Sequence, residues 1–212
     1  MTRMRIMNRI LAGAAIAIVA AATVSCGDVV RSSRSPVFLV IDTLGGARGP
    51  STTIGSTLSS DVITNVTTPA PCTVDSPCPT IFADVGEATL RIVPKDIGPA
   101  ATPATPSTNN EVTITRVHIA YRRADGRNVE GRDVPYAFDG AATGTVPASG
   151  TLKLGFLLVR VIAKAESPLV QLQSNGIIIT TIGDVTFYGQ DRVGNDVSVT
   201  GSIQIEFGNF GD

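Results

Sequence analysis

An all-β sandwich is the fold this sequence predicts, and three observations predict it. β-Branched and aromatic residues recur at alternate positions, most cleanly at the end, where Ile203, Ile205 and Phe207 alternate with Ser202, Gln204 and Glu206. Threonine and valine are frequent throughout, a composition that suits a pleated, half-buried surface. The 21 glycines and 13 prolines punctuate the apolar segments with turn residues and leave little room for long helices. About 185 residues follow the first 25, enough to bury one sandwich core.

The chain opens on a leader. Arg3, Arg5 and Arg9 precede an apolar run, Ile10 to Val24, and Cys26 stands just after it. A positive n-region before a short apolar stretch is the layout of a secretory signal, and this stretch is shorter than the ~20 residues a membrane-spanning helix needs. Thr23-Val24-Ser25-Cys26 resembles the bacterial lipoprotein signal, in which a small residue precedes the cysteine; where that family usually has an aliphatic residue three places before it, Thr23 stands here. The resemblance implies that residues 1–25 are removed and that Cys26 carries two or three acyl chains. Two or more chains make a stable membrane anchor. It also implies export, and Gly27 favours the outer membrane or cell surface if the cell is Gram-negative. An ordinary cleaved signal and an uncleaved anchor are the alternatives the same residues leave open.

Losing residues 1–25 takes away three arginines and no acid, so the net charge moves from −1 to −4. That balance argues against a nucleic-acid partner, which calls for a basic face. Residues 26–35 are small, polar and basic and form a tether; residues 36–212 form the sandwich. Val37 to Leu44 is the first strand, ended by Gly45-Gly46-Ala47-Arg48-Gly49-Pro50. A phosphate-binding loop would continue into a helix, with Lys and Ser or Thr at set places, and Pro50-Ser51-Thr52-Thr53 follows instead. Asp61 to Thr67 alternates as a second strand. Cys72 and Cys78 flank five residues between Pro71 and Pro79. Export permits a disulfide between them, free thiols are the second reading, and a metal site would need distant carboxylates, because His118 is the single histidine.

Thr80 to Ala83 and Ala88 to Val93 read as strands joined by a turn at Gly86-Glu87. Gly98 to Asn110, rich in Pro, Ala and Thr, is a long loop or an internal boundary, with 111–212 as the core domain. From Glu111 the strand signal strengthens. Val112 and Ile114 differ in parity from Val117, Ile119 and Tyr121, which predicts a bulge near Thr115-Arg116. Pro135 confines Val129 to Phe138 to an edge or loop. Leu152 to Ala165 reads as one strand. Asn175-Gly176, between Leu169–Ser174 and Ile177–Thr181, predicts a two-residue hairpin turn. Val185 to Gly189 and Val197 to Phe207 form the closing pair.

Thr186-Phe187-Tyr188-Gly189-Gln190-Asp191, followed by Gly194-Asn195, resembles the closing hairpin of bacterial immunoglobulin-like and fibronectin type III-like domains, and residues 111–212 match their usual size. The resemblance implies an immunoglobulin-like antiparallel β-sandwich serving in adhesion, spacing or binding near carbohydrate. The chain lacks the tryptophan of such domains. Phe187 and Tyr188 compete for the inward aromatic position.

Asp184, Asp191, Asn195 and Asp196 are calcium candidates if the fold gathers them, although Asp and Asn are also ordinary turn residues. Arg122-Arg123 and Arg127 form a basic cluster around Asp125-Gly126. His118 has no nucleophile motif beside it, no catalytic residue is assigned, and no cofactor is expected. These features predict a lipid-anchored, non-catalytic structural or binding module of the bacterial cell envelope, with the membrane and an envelope protein or polysaccharide as partners. The alternatives are an envelope carbohydrate-active hydrolase using a carboxylate pair and a subunit that joins an assembly through an exposed edge strand.

Overall fold

In a computed structural model the chain is described over residues 34–211. Cys26, with the leader and most of the tether, lies outside those residues. Ten strands dominate: β1 (Val37–Ala47), β2 (Thr57–Asp61), β3 (Thr64–Val66), β4 (Cys78–Thr80), β5 (Asp84–Pro94), β6 (Val112–Arg122), β7 (Phe138–Val146), β8 (Leu152–Val159), β9 (Ile179–Asp191) and β10 (Asp196–Gly208). One short helix, α1 (Val161–Ala165), and a 3-10 turn at Leu169–Ser174 connect β8 to β9.

The fold is an all-β sandwich. One sheet has the order β1-β5-β8 and the other β2-β10-β9-β6-β7, while β3 and β4 pair as a small separate ribbon. This neighbour order, with the first, second and fifth core strands in one layer and the third, sixth and seventh in the other, is that of an immunoglobulin-type sandwich. One pairing departs from the antiparallel expectation: β2 runs parallel to β10, from Thr57 opposite Gln204 to Asp61 opposite Gly208. The chain reaches it by crossing from β1 in one layer to β2 in the other, a bend that the Gly46–Gly55 bridge holds at its corner.

The layers meet over one cluster of buried side chains that spans Val37 to Phe207 and draws on both sides of residues 98–110. That segment links β5 in one sheet to β6 in the other. Since β5 is the neighbour of β8, and β2 the neighbour of β10, the strands of 111–212 close their sheets with strands from the first half. Two contacts knit the layers. The Phe156 and Phe187 rings meet edge-on, 5.3 Å apart and 85° to each other. The Tyr121 hydroxyl, from β6, donates to the Leu158 carbonyl of β8 at 2.7 Å, and its ring packs edge-on against Phe207.

The bulge in β6 lies where parity puts it. Both β6–β7 and β6–β9 shift register between Ile114 and Arg116, and Val112, Ile114, Val117 and Ile119 are all buried. Four expectations are corrected. Gly86-Glu87 is the interior of β5, because glycine there admits the Phe156 ring: a Cβ would lie 2.4 Å from Phe156 Cζ. Asp61–Thr67 is broken, its first residue ending β2 and Thr64–Val66 pairing with β4. Leu152–Ala165 stops as a strand at Val159 and turns into α1, so Leu154, Phe156 and Leu158 are the buried face and Leu157 is outside. Asn175-Gly176 is no hairpin turn: Leu169 and Leu172 bury themselves from a 3-10 turn, and Asn175 Oδ1 accepts the Ile177 N–H at 3.0 Å. Burial of two leucines outweighed the local turn preference.

Cys72 and Cys78 are joined by a disulfide at the foot of the β3–β4 ribbon. A loop this short gains about 2 kcal/mol from cross-linking in the chain-entropy model. The double substitution Cys72→Ser/Cys78→Ser is expected to lower stability by that amount, read as a shift of the urea midpoint, and the wild type in reductant should match it.

Candidate functional site

The sandwich has two ends. At the first, the described chain enters: Val37 pairs with Pro94, and Ser35 hydrogen-bonds the Asp191 carboxylate. β1 then runs 11 residues, about 35 Å at the usual strand rise, to the second end. There lie the β1–β2 corner, the starts of β5 and β9, the ends of β2, β6, β8 and β10, and the loops between them.

Beneath those distal loops lies a buried polar knot. Lys164 of α1 and Asp84 at the start of β5 are both wholly inaccessible. The Lys164 ammonium donates to Asp84 Oδ1 at 2.9 Å, to Asp84 Oδ2 at 2.8 Å and to the Asp61 carbonyl at 2.8 Å. Asp84 Oδ1 also accepts the Gly49 N–H at 2.8 Å, and Oδ2 accepts the Ser60 hydroxyl at 2.5 Å. Gly49 holds φ +46°, a conformation glycine adopts without strain. Asp61, nearly as buried, accepts the Thr64 hydroxyl and the Phe210 N–H. Burial is the main influence on Lys164 and pushes its pKa down, against the attraction of Asp84. Four segments of the chain thus meet on one ion pair. A cavity of about 280 Å³ adjoins it, lined by Arg48, Gly49, Pro50, Ser51, Asp61 and Thr64.

Several apolar side chains of this end are exposed. Val161 and Ile162 of α1, Val170 of the 3-10 turn, and Ile177 and Ile178 after it are all exposed, with Ile177 at 61%. No helix among the described residues is long and apolar enough to cross a membrane.

The calcium candidates do not assemble. Asp184 and Asp191 are seven residues apart on β9, about 23 Å along the strand. Asp184 binds Arg122 and the Ser202 hydroxyl, and Asp196 accepts from Gln190. Asp191 organises the β9–β10 turn, accepting the Val193 and Asn195 N–H groups and the Asn195 side-chain amide at 2.8–3.1 Å. No group of three or more His, Cys, Asp or Glu among the described residues is placed to hold a metal. Burial works to raise the Asp191 pKa, but the donors from Asn195, Ser35 and Val193 outweigh it and hold the carboxyl below the ordinary 3.8. A depressed folded pKa means that its contribution is complete above that ordinary value and lost as pH falls through the folded one. Asp191→Ala, which strands those donors, is expected to cost about 1–3 kcal/mol at neutral pH. The wild type should lose stability as pH falls through the lowered Asp191 pKa, seen as faster amide exchange at Val193 and Asn195.

The basic cluster is ion-paired with its neighbours. Arg123 and Arg127 both bind Asp125, whose carboxyl they hold well below its usual range, and Arg122 binds Asp184. His118 lies on the outer face of β6, 3.1 Å from Asp139, which also takes Arg116; the Arg116 guanidinium covers the Tyr188 ring at 3.9 Å. Phe187 is the inward aromatic and Tyr188 the outer one. The Asp84 carboxylate is occupied by Lys164, Ser60 and Gly49, and the Asp61 carboxylate by Thr64 and Phe210.

The knot was missed in sequence, though a signal exists. Lys164 interrupts Val161-Ile162-Ala163, and Asp84 interrupts Phe82-Ala83 and Val85. A charge inside a short apolar run is a candidate for burial with a partner of opposite sign. Comparison of the chain with protein-family models, with curated proteins and with solved structures finds no match in any of the three.

Proposed function

We propose that this chain is a lipid-anchored, non-catalytic binding module of the bacterial cell envelope, held at Cys26 and presenting the distal loops to an envelope protein. One observation carries the reading: the described chain begins at the end of the sandwich opposite the exposed Val161, Ile162, Val170, Ile177 and Ile178. A tether of some ten residues from Cys26 would then hold the first end near the membrane and turn the apolar loops outward. Apolar side chains rimmed by polar loops favour a protein partner over a sugar chain, which asks for more hydroxyl-matching groups.

The anchor and the orientation are tested together. Mass spectrometry of the mature N-terminus is expected to find acyl mass on Cys26, and Cys26→Ala should move the protein to the soluble fraction. A single cysteine placed at Ile177 should label with an impermeant maleimide faster than one placed at Thr102. A mature chain starting elsewhere without acyl mass, or equal labelling at both positions, would refute the arrangement.

A further inference from the structure

We propose that the partner of the distal end is a second copy of this chain, joined through the exposed face of α1 about a two-fold axis. The proposal rests on the reading that this end meets a protein, and it names that protein. Ala163 and Lys164 of α1 face inward, while Val161, Ile162, Ala165 and Glu166 are exposed. Val161 and Ala165, and likewise Ile162 and Glu166, are one turn apart, so the four form a single strip on the surface. A charge stands at each end of it. Arg160, at the start of the helix, holds its guanidinium 4.4 Å over the Phe138 ring, and its Nε is buried without a hydrogen-bond partner. Among the described residues no acid pairs with Arg160, and no base pairs with Glu166 at the far end. At the same end of the sandwich, Arg122, Arg123, Arg127 and Arg132 each have an aspartate.

A cation, an apolar strip and an acid, in that order, are complementary to the same strip read backwards. A two-fold axis through the middle of α1 sets two copies of the helix antiparallel. Each Arg160 then meets the Glu166 of the second copy, and the pair forms twice. Val161 faces Ala165 of the second copy, a large side chain against a small one, and the two Ile162 side chains lie side by side near the axis. Val170, Ile177 and Ile178, exposed on the connection after α1, add to the apolar centre. Apolar side chains at the centre with charge at the rim are the anatomy of a specific protein contact. Stacking on Phe138 already fixes the guanidinium of Arg160, so less side-chain freedom is lost when it pairs. A contact of this kind uses one patch on both copies and closes on itself, which limits the assembly to a dimer.

Cysteine cross-linking of the full chain, in the membranes of cells that make it, tests the pairing. Ile162→Cys places a thiol beside its own symmetry mate, and the unsubstituted chain measures the background from the native cysteines. Under mild oxidation a disulfide-linked species of twice the chain mass is expected from Ile162→Cys and not from Thr102→Cys at the entry end. Added to Ile162→Cys, Arg160→Glu sets acid against acid and Glu166→Arg sets arginine against arginine; each is expected to lower the linked fraction about tenfold or more. Making these two variants in one cell is expected to restore the linked species as a mixed pair, in which every acid again meets an arginine. Misfolding of either variant cannot give that recovery. No linked species from Ile162→Cys, one that neither reversal lowers, or one that mixing does not restore would overturn the self-pairing. A photo-adduct of some other mass at Ile162 would then leave the distal end with a different protein partner, so the two readings fail separately.

Discussion

Asp84→Ala is expected to destabilise the protein by about 3–5 kcal/mol, the cost of removing one partner from a buried ion pair. The substitution leaves the Lys164 nitrogen in a dry interior with the Asp61 carbonyl, and it takes the acceptor from the Ser60 hydroxyl and the Gly49 N–H. Because the knot joins β2, β5, α1 and the β1–β2 corner, its loss should loosen the distal end before the rest. Urea unfolding measures the global figure, and amide exchange at Gly49, Thr64 and Phe210 locates it. Asp42→Ala is the control, since the Asp42–Arg91 pair is partly exposed and such pairs contribute about 0–1 kcal/mol. A loss no larger than the control's would mean that the knot does not hold the distal end together.

Phe187→Ala carries the second large effect, about 3–5 kcal/mol for a fully buried ring. The ring is wholly inaccessible on β9 and meets Phe156 edge-on, so its removal opens a cavity between the two sheets. Tyr188→Ala, one residue on, should cost far less, since that ring lies outside under Arg116. Thermal melts of the two variants make the comparison. Equal losses would contradict the assignment of Phe187 to the interior.

The closing half of the fold was legible because its strands alternate and one face of each is buried. Ile203, Ile205 and Phe207 are inward as their spacing requires. The β6 bulge followed from two apolar sets of opposite parity. Elsewhere local pattern gave way to packing that sequence does not display. Gly86 read as a turn residue, yet it is a strand residue beneath Phe156, fifth-strand partner of β8 from 70 positions away. Asn175-Gly176 read as a hairpin, yet the leucines before it found the core. The parallel β2–β10 pairing joins segments from opposite ends of the chain, and periodicity carries no information on which distant strands pair.

The candidate site was less legible than the fold. The predicted calcium ligands each have a local task, Asp191 in its turn and Asp184 with Arg122. The predicted disulfide forms. The turn of the chain into α1 after Val159 is what brings Lys164 inward to Asp84, and strand periodicity does not display it. The exposed isoleucines at 162, 177 and 178 were assigned to strands, where alternation would have buried some of them.

The central claim is that the distal loops, and not the end where the chain enters, meet the partner. Photo-crosslinking in living cells of the native host tests it directly. A photoreactive residue at Ile177 or Ile162 is expected to yield a discrete adduct of higher mass. The same residue at Phe38, equally exposed and apolar but at the entry end, should yield none. Adducts from Phe38 and none from Ile162 or Ile177 would contradict the account.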